Sequence, residues 1–257
     1  MEYFIAYVLN IAAAFTVIAL LILAGSLLVR QKRKRLIAFF GISKSKRLRA
    51  YISHLRIALG GAFGADGLPR SMSGSAVPVG ELQLVSIYGR LFNYSIPALQ
   101  EQPGFWRHVL LTDVQLEVSP APLQDSEIEK GCSILCFGSP GYNVASKWIE
   151  DTLNPVARFI PSGLAIEVDG VAPFTDALTG FAQRIRIGDG AAAAFYVAGM
   201  SEAATMAAAY YLASEWEQLD ATFGTRKNFC VVLKAEPLDY RNYTVVLERR
   251  ESEVPAR

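Results

Sequence analysis

From Tyr3 to Val29 the chain carries no charged side chain, and five Lys and Arg crowd the next six positions. The run YFIAYVLNIAAAFTVIALLILAGSLLV is 27 residues long, and about 20 suffice to cross a bilayer core as a helix. A cleaved secretion signal carries its basic residues ahead of a shorter apolar run. Here no Lys or Arg precedes the run, and RQKRKR follows at 30–35. The segment therefore reads as a retained transmembrane helix over 3–29. Its basic flank belongs on the cytoplasmic side. The expectation is a single-pass cell-membrane protein, N-terminus outside, with its C-terminal domain cytoplasmic.

Charge is distributed unevenly behind that helix. Residues 30–56 hold ten Lys or Arg and no Asp or Glu, while 67–257 hold fifteen basic residues against 22 acidic ones. A basic segment over 30–46 suits a linker beside anionic lipid head groups, so the lipid bilayer is the first expected partner. The acidic body beyond it argues against a nucleic-acid binder. Cys132, Cys136 and Cys230 read as buried thiols, since a structural zinc site wants four ligands in tight pairs. No metal site is expected.

Downstream, the pattern alternates between strand and helix. RLRAYISHLRIAL (47–59) alternates partly as a strand does, a glycine- and serine-rich loop follows, and VGELQLVSIYGRLF (79–92) has helical spacing. CSILCFG (132–138) reads as a strand, SPGYN as a turn, and VASKWIEDTL (144–153) as a helix that Asn143 could cap. AAAAFYVAGM (191–200) and SEAATMAAAYYLASEWEQL (201–219) repeat the strand and helix, with Ser201 as N-cap. ARFIPSGLAIEVDG and FAQRIRIGDG read as accessory antiparallel pieces, and NFCVVLKAEPLD and YTVVLERR as closing strands. Apolar strands followed by helices imply a mostly parallel α/β sheet with helices on both faces over 47–248, and a tail over 249–257. Right-handed crossovers put the strand C-termini on one edge, where open α/β sheets bind ligands.

Three loops are expected to meet there. The first holds Gly60, Gly61, Asp66, Arg70 and Ser71. Glycines let a ligand approach the backbone, hydroxyls serve phosphate oxygens, and an arginine pairs with them in a fork. The second is Gly138, Ser139, Gly141, Tyr142 and Asn143, before a helix whose N-terminus favours anions; Tyr142 could stack on a base. The third is Gly199, Ser201, Glu202 and Thr205. Glu202 could meet a ribose, or serve the helix dipole from the first turn. GSPGYNVASK lacks the G-K-[ST] ending of a nucleoside triphosphatase loop, and GSPGYN does not match the hydrolase elbow G-x-S-x-G. A catalytic base or nucleophile would have to come from Asp66, Glu81, Glu150, Asp189, Glu202, Ser139 or Ser201, and no acid–base pair stands out.

With ILCFGSPGYN and FYVAGMSEAAT as its ligand-edge loops, the chain over 47–248 resembles prokaryotic membrane-tethered Rossmann-like proteins that sense nucleotide-derived ligands. The resemblance implies a tether that couples a cytoplasmic sensor to the membrane, in some such proteins in defence or stress signalling. The leading expectation is a membrane-anchored sensor or binding module for a nucleotide, a dinucleotide or another small phosphorylated ligand, whose binding changes self-association into homo-oligomers. The alternatives are a membrane-anchored nucleotide- or nucleoside-processing enzyme, and a membrane interaction module that binds no ligand.

Overall fold

A computed structural model describes residues 2–42, 47–53, 55–56, 75–76, 79–92, 114–120, 131–160, 165–188, 190, 192–225 and 227–250. They fall into two compact units, one reaching to Ile37 and the other beginning at Ala38.

The first unit is helical. Helix α1 spans Glu2–Phe39, about 57 Å at 1.5 Å per residue. Part of Ala13–Phe39 reaches a mean hydropathy of 2.2 with its side chains unburied. Phe15, Leu21 and Leu28 are exposed, so α1 is long and apolar enough to cross a membrane. It does not stop with the uncharged run at Val29. Lys, Arg and Gln are good helix formers, and RQKRKR continues the helix. Its end comes at Gly41, whose φ of 60° and N–H bond to the Ala38 carbonyl (3.0 Å) form a left-handed helix stop.

The second unit begins inside that helix. Phe39 and Phe40 are fully buried, which makes the segment after the basic run part of a core rather than a free linker. The remaining elements are β1 (Arg47–Ile52), β2 (Leu55–Arg56), β3 (Ser75–Ala76), α2 (Val79–Phe92), β4 (Gln115–Pro120), β5 (Ser133–Phe137), α3 (Val144–Thr152), β6 (Ala157–Phe159), β7 (Ile166–Val168), β8 (Val171–Phe174), β9 (Thr179–Arg186), β10 (Ala193–Gly199), α4 (Glu202–Ser214), α5 (Trp216–Phe223), β11 (Phe229–Glu236) and β12 (Asp239–Arg250). Seven strands form one mixed sheet in the order β12-β11-β9-β10-β5-β1-β4. The β4, β1, β5 and β10 strands run parallel, and β9, β11 and β12 join antiparallel. FAQRIRI is therefore a central strand of the main sheet. The β6-β7-β8 strands make a small separate sheet.

Burial on both faces explains the unbroken apolar strands. In β5, Ile134 and Cys136 join Trp148 and Ile149 of α3 in one core. Phe137 faces the other way and meets Tyr88 of α2 at 5.5 Å between rings. On that second face Phe40 contacts Phe195 (4.7 Å) and Phe92 (5.0 Å), and the Tyr88 hydroxyl donates to the Ala209 carbonyl of α4 (2.9 Å). Helices thus cover both faces. The expected single helix over 201–219 is two, α4 and α5, with Glu215 closing one and opening the next. All three cysteines are buried thiols, and burial pushes the Cys230 thiol up to about 12.

Candidate functional site

Going along the chain, β1 is followed by β4 on one side of it and then by β5 on the other. Of the helices that follow these strands, α2 lies on one face, against α4, and α3 on the other. A crevice must open between the carboxyl ends of β1 and β5 at such a reversal. It does so as a cleft of about 390 Å³. Ser53 enters from the end of β1, Gly138 and Ser139 from β5, and Gly199 and Met200 from β10. The first turns of two helices add Glu81 from α2 and Ser201, Glu202, Thr205 and Met206 from α4, while Tyr142 and Phe159 supply aromatic walls.

Two glycines are required by this geometry for different reasons. Gly138 has φ of 89°, and a Cβ there would lie 2.5 Å from Ser53 Oγ. Gly199 is not in the left-handed region; its Cβ would strike the Ala204 methyl and the Thr205 nitrogen at 2.6 Å. Its cross-strand partner is Gly180, where a Cβ would lie 2.5 Å from the Ala204 carbonyl oxygen. The pair lets α4 sit directly on β9 and β10, which fixes the entry of Ser201 and Glu202 into the cleft.

Among the described residues, the charged side chains lining the cleft are both carboxylates. Glu81 is 5% exposed and accepts the Ser53 backbone N–H at 2.5 Å. Burial raises its pKa above the ordinary carboxylate range; hydrogen bonds from Ser53 oppose the rise, and the neighbouring Glu202 charge adds to it. Glu202 is exposed and reaches across to accept the Gly80 N–H of α2 at 2.9 Å. It therefore caps a helix other than its own.

The helix N-termini around the cleft are largely satisfied from within. Asn143 Oδ1 accepts from the N–H groups of Ala145 (2.9 Å) and Ser146 (3.4 Å). Its amide donates to the carbonyls of Phe137 (2.8 Å) and Tyr51 (3.1 Å). Asn143 is fully buried and straps α3 to β5 and β1. Ser201 Oγ accepts from Ala204 N–H (3.3 Å), and Thr205 Oγ1 donates to the Ser201 carbonyl (3.0 Å). Ser146 Oγ holds the Gly138 carbonyl at 2.8 Å. The N-terminus of α3 is thus capped by the protein itself, and a phosphate there would have to displace Asn143.

Of the residues singled out in the sequence, Gly138, Ser139, Tyr142, Gly199, Ser201, Glu202 and Thr205 come together in the cleft. Gly141 and Asn143 are not among its lining residues. Gly141 has open space around it, with the nearest atom 4.0 Å from where a Cβ would stand, and the polar groups of Asn143 are engaged as above. Gly60, Gly61, Asp66, Arg70 and Ser71 lie outside the described residues. Among the described residues, the first junction contributes its two flanks, Ser53 and Glu81, to the cleft. Glu81 stood among the residues from which a catalytic base or nucleophile would have to come; for Ser53, Met200 and Phe159 there was no local signal.

No family model, curated protein or solved structure matches the chain.

Proposed function

We propose that this protein is a membrane-anchored binding module, Rossmann-like in its parallel half, whose cleft takes a nucleoside-type small ligand or the sugar end of a nucleotide-derived one. The carrying observation is the cleft at the strand reversal between β1 and β5, lined by hydroxyls, an aromatic rim and two carboxylates. Ribose hydroxyls are donors that carboxylates accept, and Tyr142, 60% exposed at the rim, offers a face to a base. The charge of the lining refines the expectation of a phosphate-first ligand: Glu81 and Glu202 favour the sugar, and any phosphate extends away from them. The basic run at 30–35 supports a cytoplasmic position for the domain, which protease protection of a C-terminal tag in oriented vesicles would test.

Isothermal titration of the full chain in detergent, against nucleosides, their mono- and diphosphates and dinucleotides, tests the reading. Binding of at least one of these, uncompeted by inorganic phosphate, is expected. Tyr142→Ala should weaken it by about 1–3 kcal/mol, the usual worth of a base stacked on an aromatic ring. Gly138→Ala should reduce both binding and stability, whereas Gly141→Ala should change neither by more than about 0.5 kcal/mol. Failure of the whole panel to bind would sink the proposal.

A further inference from the structure

The sign of the charge around a cleft selects which reactions it can promote. Phosphoryl and acyl transfer develop negative charge on oxygen and need cations or free N–H donors. Around this cleft Asn143 caps α3, Glu202 takes the Gly80 N–H of α2, and Ser201 Oγ takes the Ala204 N–H of α4. The charged lining residues among those described are Glu81 and Glu202, one from each of two helices. Breaking a glycosidic bond develops positive charge on the sugar, which carboxylates stabilise.

The two carboxylates are placed differently. Glu202 is exposed and already accepts the Gly80 N–H. Glu81 lines the cleft but is almost wholly withdrawn from solvent, being 5% exposed. It is fixed by the Ser53 backbone N–H and lies beside Gly138, where a Cβ would stand 3.2 Å from Glu81 Oε1. A carboxylate so held cannot swing away from what enters. In a site of low dielectric its interaction with a developing cation is strong.

Resting on the nucleoside reading of the cleft, we propose that the protein cleaves the N-glycosidic bond of its ligand, with Glu81 as the catalytic carboxylate. Water adds across the bond. The C–N bond breaks with its electron pair leaving on the base, and the water oxygen bonds to the anomeric carbon. Glu81 takes the proton of that water and returns it, through solvent, to the departing base. The products are the free base and a sugar with an anomeric hydroxyl, and no oxidant or second substrate is consumed. Glu202 adds negative charge at the rim and holds the first turn of α2, which makes it a positioning residue. Burial raises the Glu81 pKa, which brings a carboxylate base closer to working pH.

The test uses the full chain in detergent with adenosine, cytidine, AMP and NAD, in water enriched in ¹⁸O, and follows free base by chromatography and label in the sugar by mass spectrometry. Release of base with one ¹⁸O at the anomeric position is expected from at least one of the four. Glu81→Gln should lower that rate at saturating substrate at least about 100-fold, with the folded variant still binding the same compound by calorimetry. Activity of the unsubstituted protein should rise with pH along a limb that reports ionisation of Glu81. Binding without base release from any of the four overturns the activity and leaves the binding module standing. Release undiminished in a folded Glu81→Gln variant overturns the assignment of Glu81. Absence of both binding and release overturns the nucleoside reading together with this inference. Should Glu81→Gln not fold, the label in the product of the unsubstituted protein still decides whether the bond is cleaved.

Discussion

Two buried charges lie toward opposite ends of the same sheet, and they are treated in opposite ways. Near the amino end of β10, Arg184 is 1% exposed. Its guanidinium donates to the carbonyls of Gly224 (2.5 Å), Thr225 (2.9 Å), Lys227 and Phe39 (3.3 Å), and stands 5.0 Å and 5.1 Å from the ring centres of Phe39 and Phe229. At the carboxyl end of β10, Glu81 has support from one residue, Ser53, and otherwise faces an open cleft. A buried charge whose hydrogen-bonding capacity is fully engaged by the fold holds the fold together. One that is only partly engaged keeps capacity to spare. Arg184 fastens the end of α1 to β9 and β11; Glu81 keeps its spare capacity beside the cleft, where the proposed ligand would use it.

Removing the guanidinium is expected to have the largest effect. Arg184→Met keeps an unbranched apolar chain between the two rings but leaves several carbonyls without their donor. At about 1–3 kcal/mol for each buried group left unpaired, less where water reaches it, the loss should be roughly 2–4 kcal/mol in urea unfolding followed by tryptophan fluorescence. A neutral result would break the distinction, since Arg184 would then be as unengaged as Glu81.

Next in size is Asn143, which tests whether a residue of the second loop serves fold or ligand. Asn143→Ala removes a helix cap and two carbonyl donors, a cost of about 2 kcal/mol. Asn143→Asp keeps the cap acceptor but turns a carboxylate oxygen toward the Tyr51 and Phe137 carbonyls, so it should not rescue stability. Full rescue by Asp in the same unfolding assay would mean that capping alone accounts for the residue and that the strap to β1 and β5 carries nothing.

The legible parts of this protein were those encoded by local chemistry. The bounds of α2, the strands β5 and β10, and the caps Asn143 and Ser201 follow from apolar periodicity and from short polar side chains at helix starts. Gly138 and Gly199 stood out because a sharp strand-to-helix junction is where a positive φ or a missing side chain is most often needed. What escaped reading depends on neighbours distant in sequence. Arg184 and Arg186 alternate with Ile185 and Ile187 in a pattern suggesting one wet face, yet Arg184 is interior, because α4 and the end of α1 cover its face of β9 while the small β6-β7-β8 sheet packs on the other. Gly180 lies opposite Gly199 and makes room for Ala204, and nothing near it in the chain announces that helix. Cleft lining by Ser53 and Glu81 becomes visible only once β1 lies beside β5. The continuation of α1 into the core was hidden by RQKRKR, whose charge suggested a boundary that its helix propensity overrode.

The smallest effect concerns pH, and it sets Glu81 against another carboxylate of the same unit. Glu117 of β4 accepts from Arg47 (2.7 Å) and Arg49 (2.5 Å) of β1, and these hydrogen bonds lower its pKa to about 2. Its contribution is present above the ordinary carboxylate range and is lost as pH falls through about 2. Glu81 has the opposite sign, because burial raises its pKa. Its contribution is full below the ordinary range and is lost as pH rises through the folded value, since the fold must then hold a buried anion. Glu81→Gln should therefore raise the melting temperature by no more than a few degrees at about pH 7–8, and the gain should vanish near pH 4, where both forms are neutral. Glu117→Gln should lower it at neutral pH and only slightly, the pair being partly exposed. A destabilised Glu81→Gln variant at about pH 8, with the Ser53 bond still available to the Gln carbonyl, would show that the carboxylate is held as fully as Arg184. That outcome would erase the contrast between the two edges.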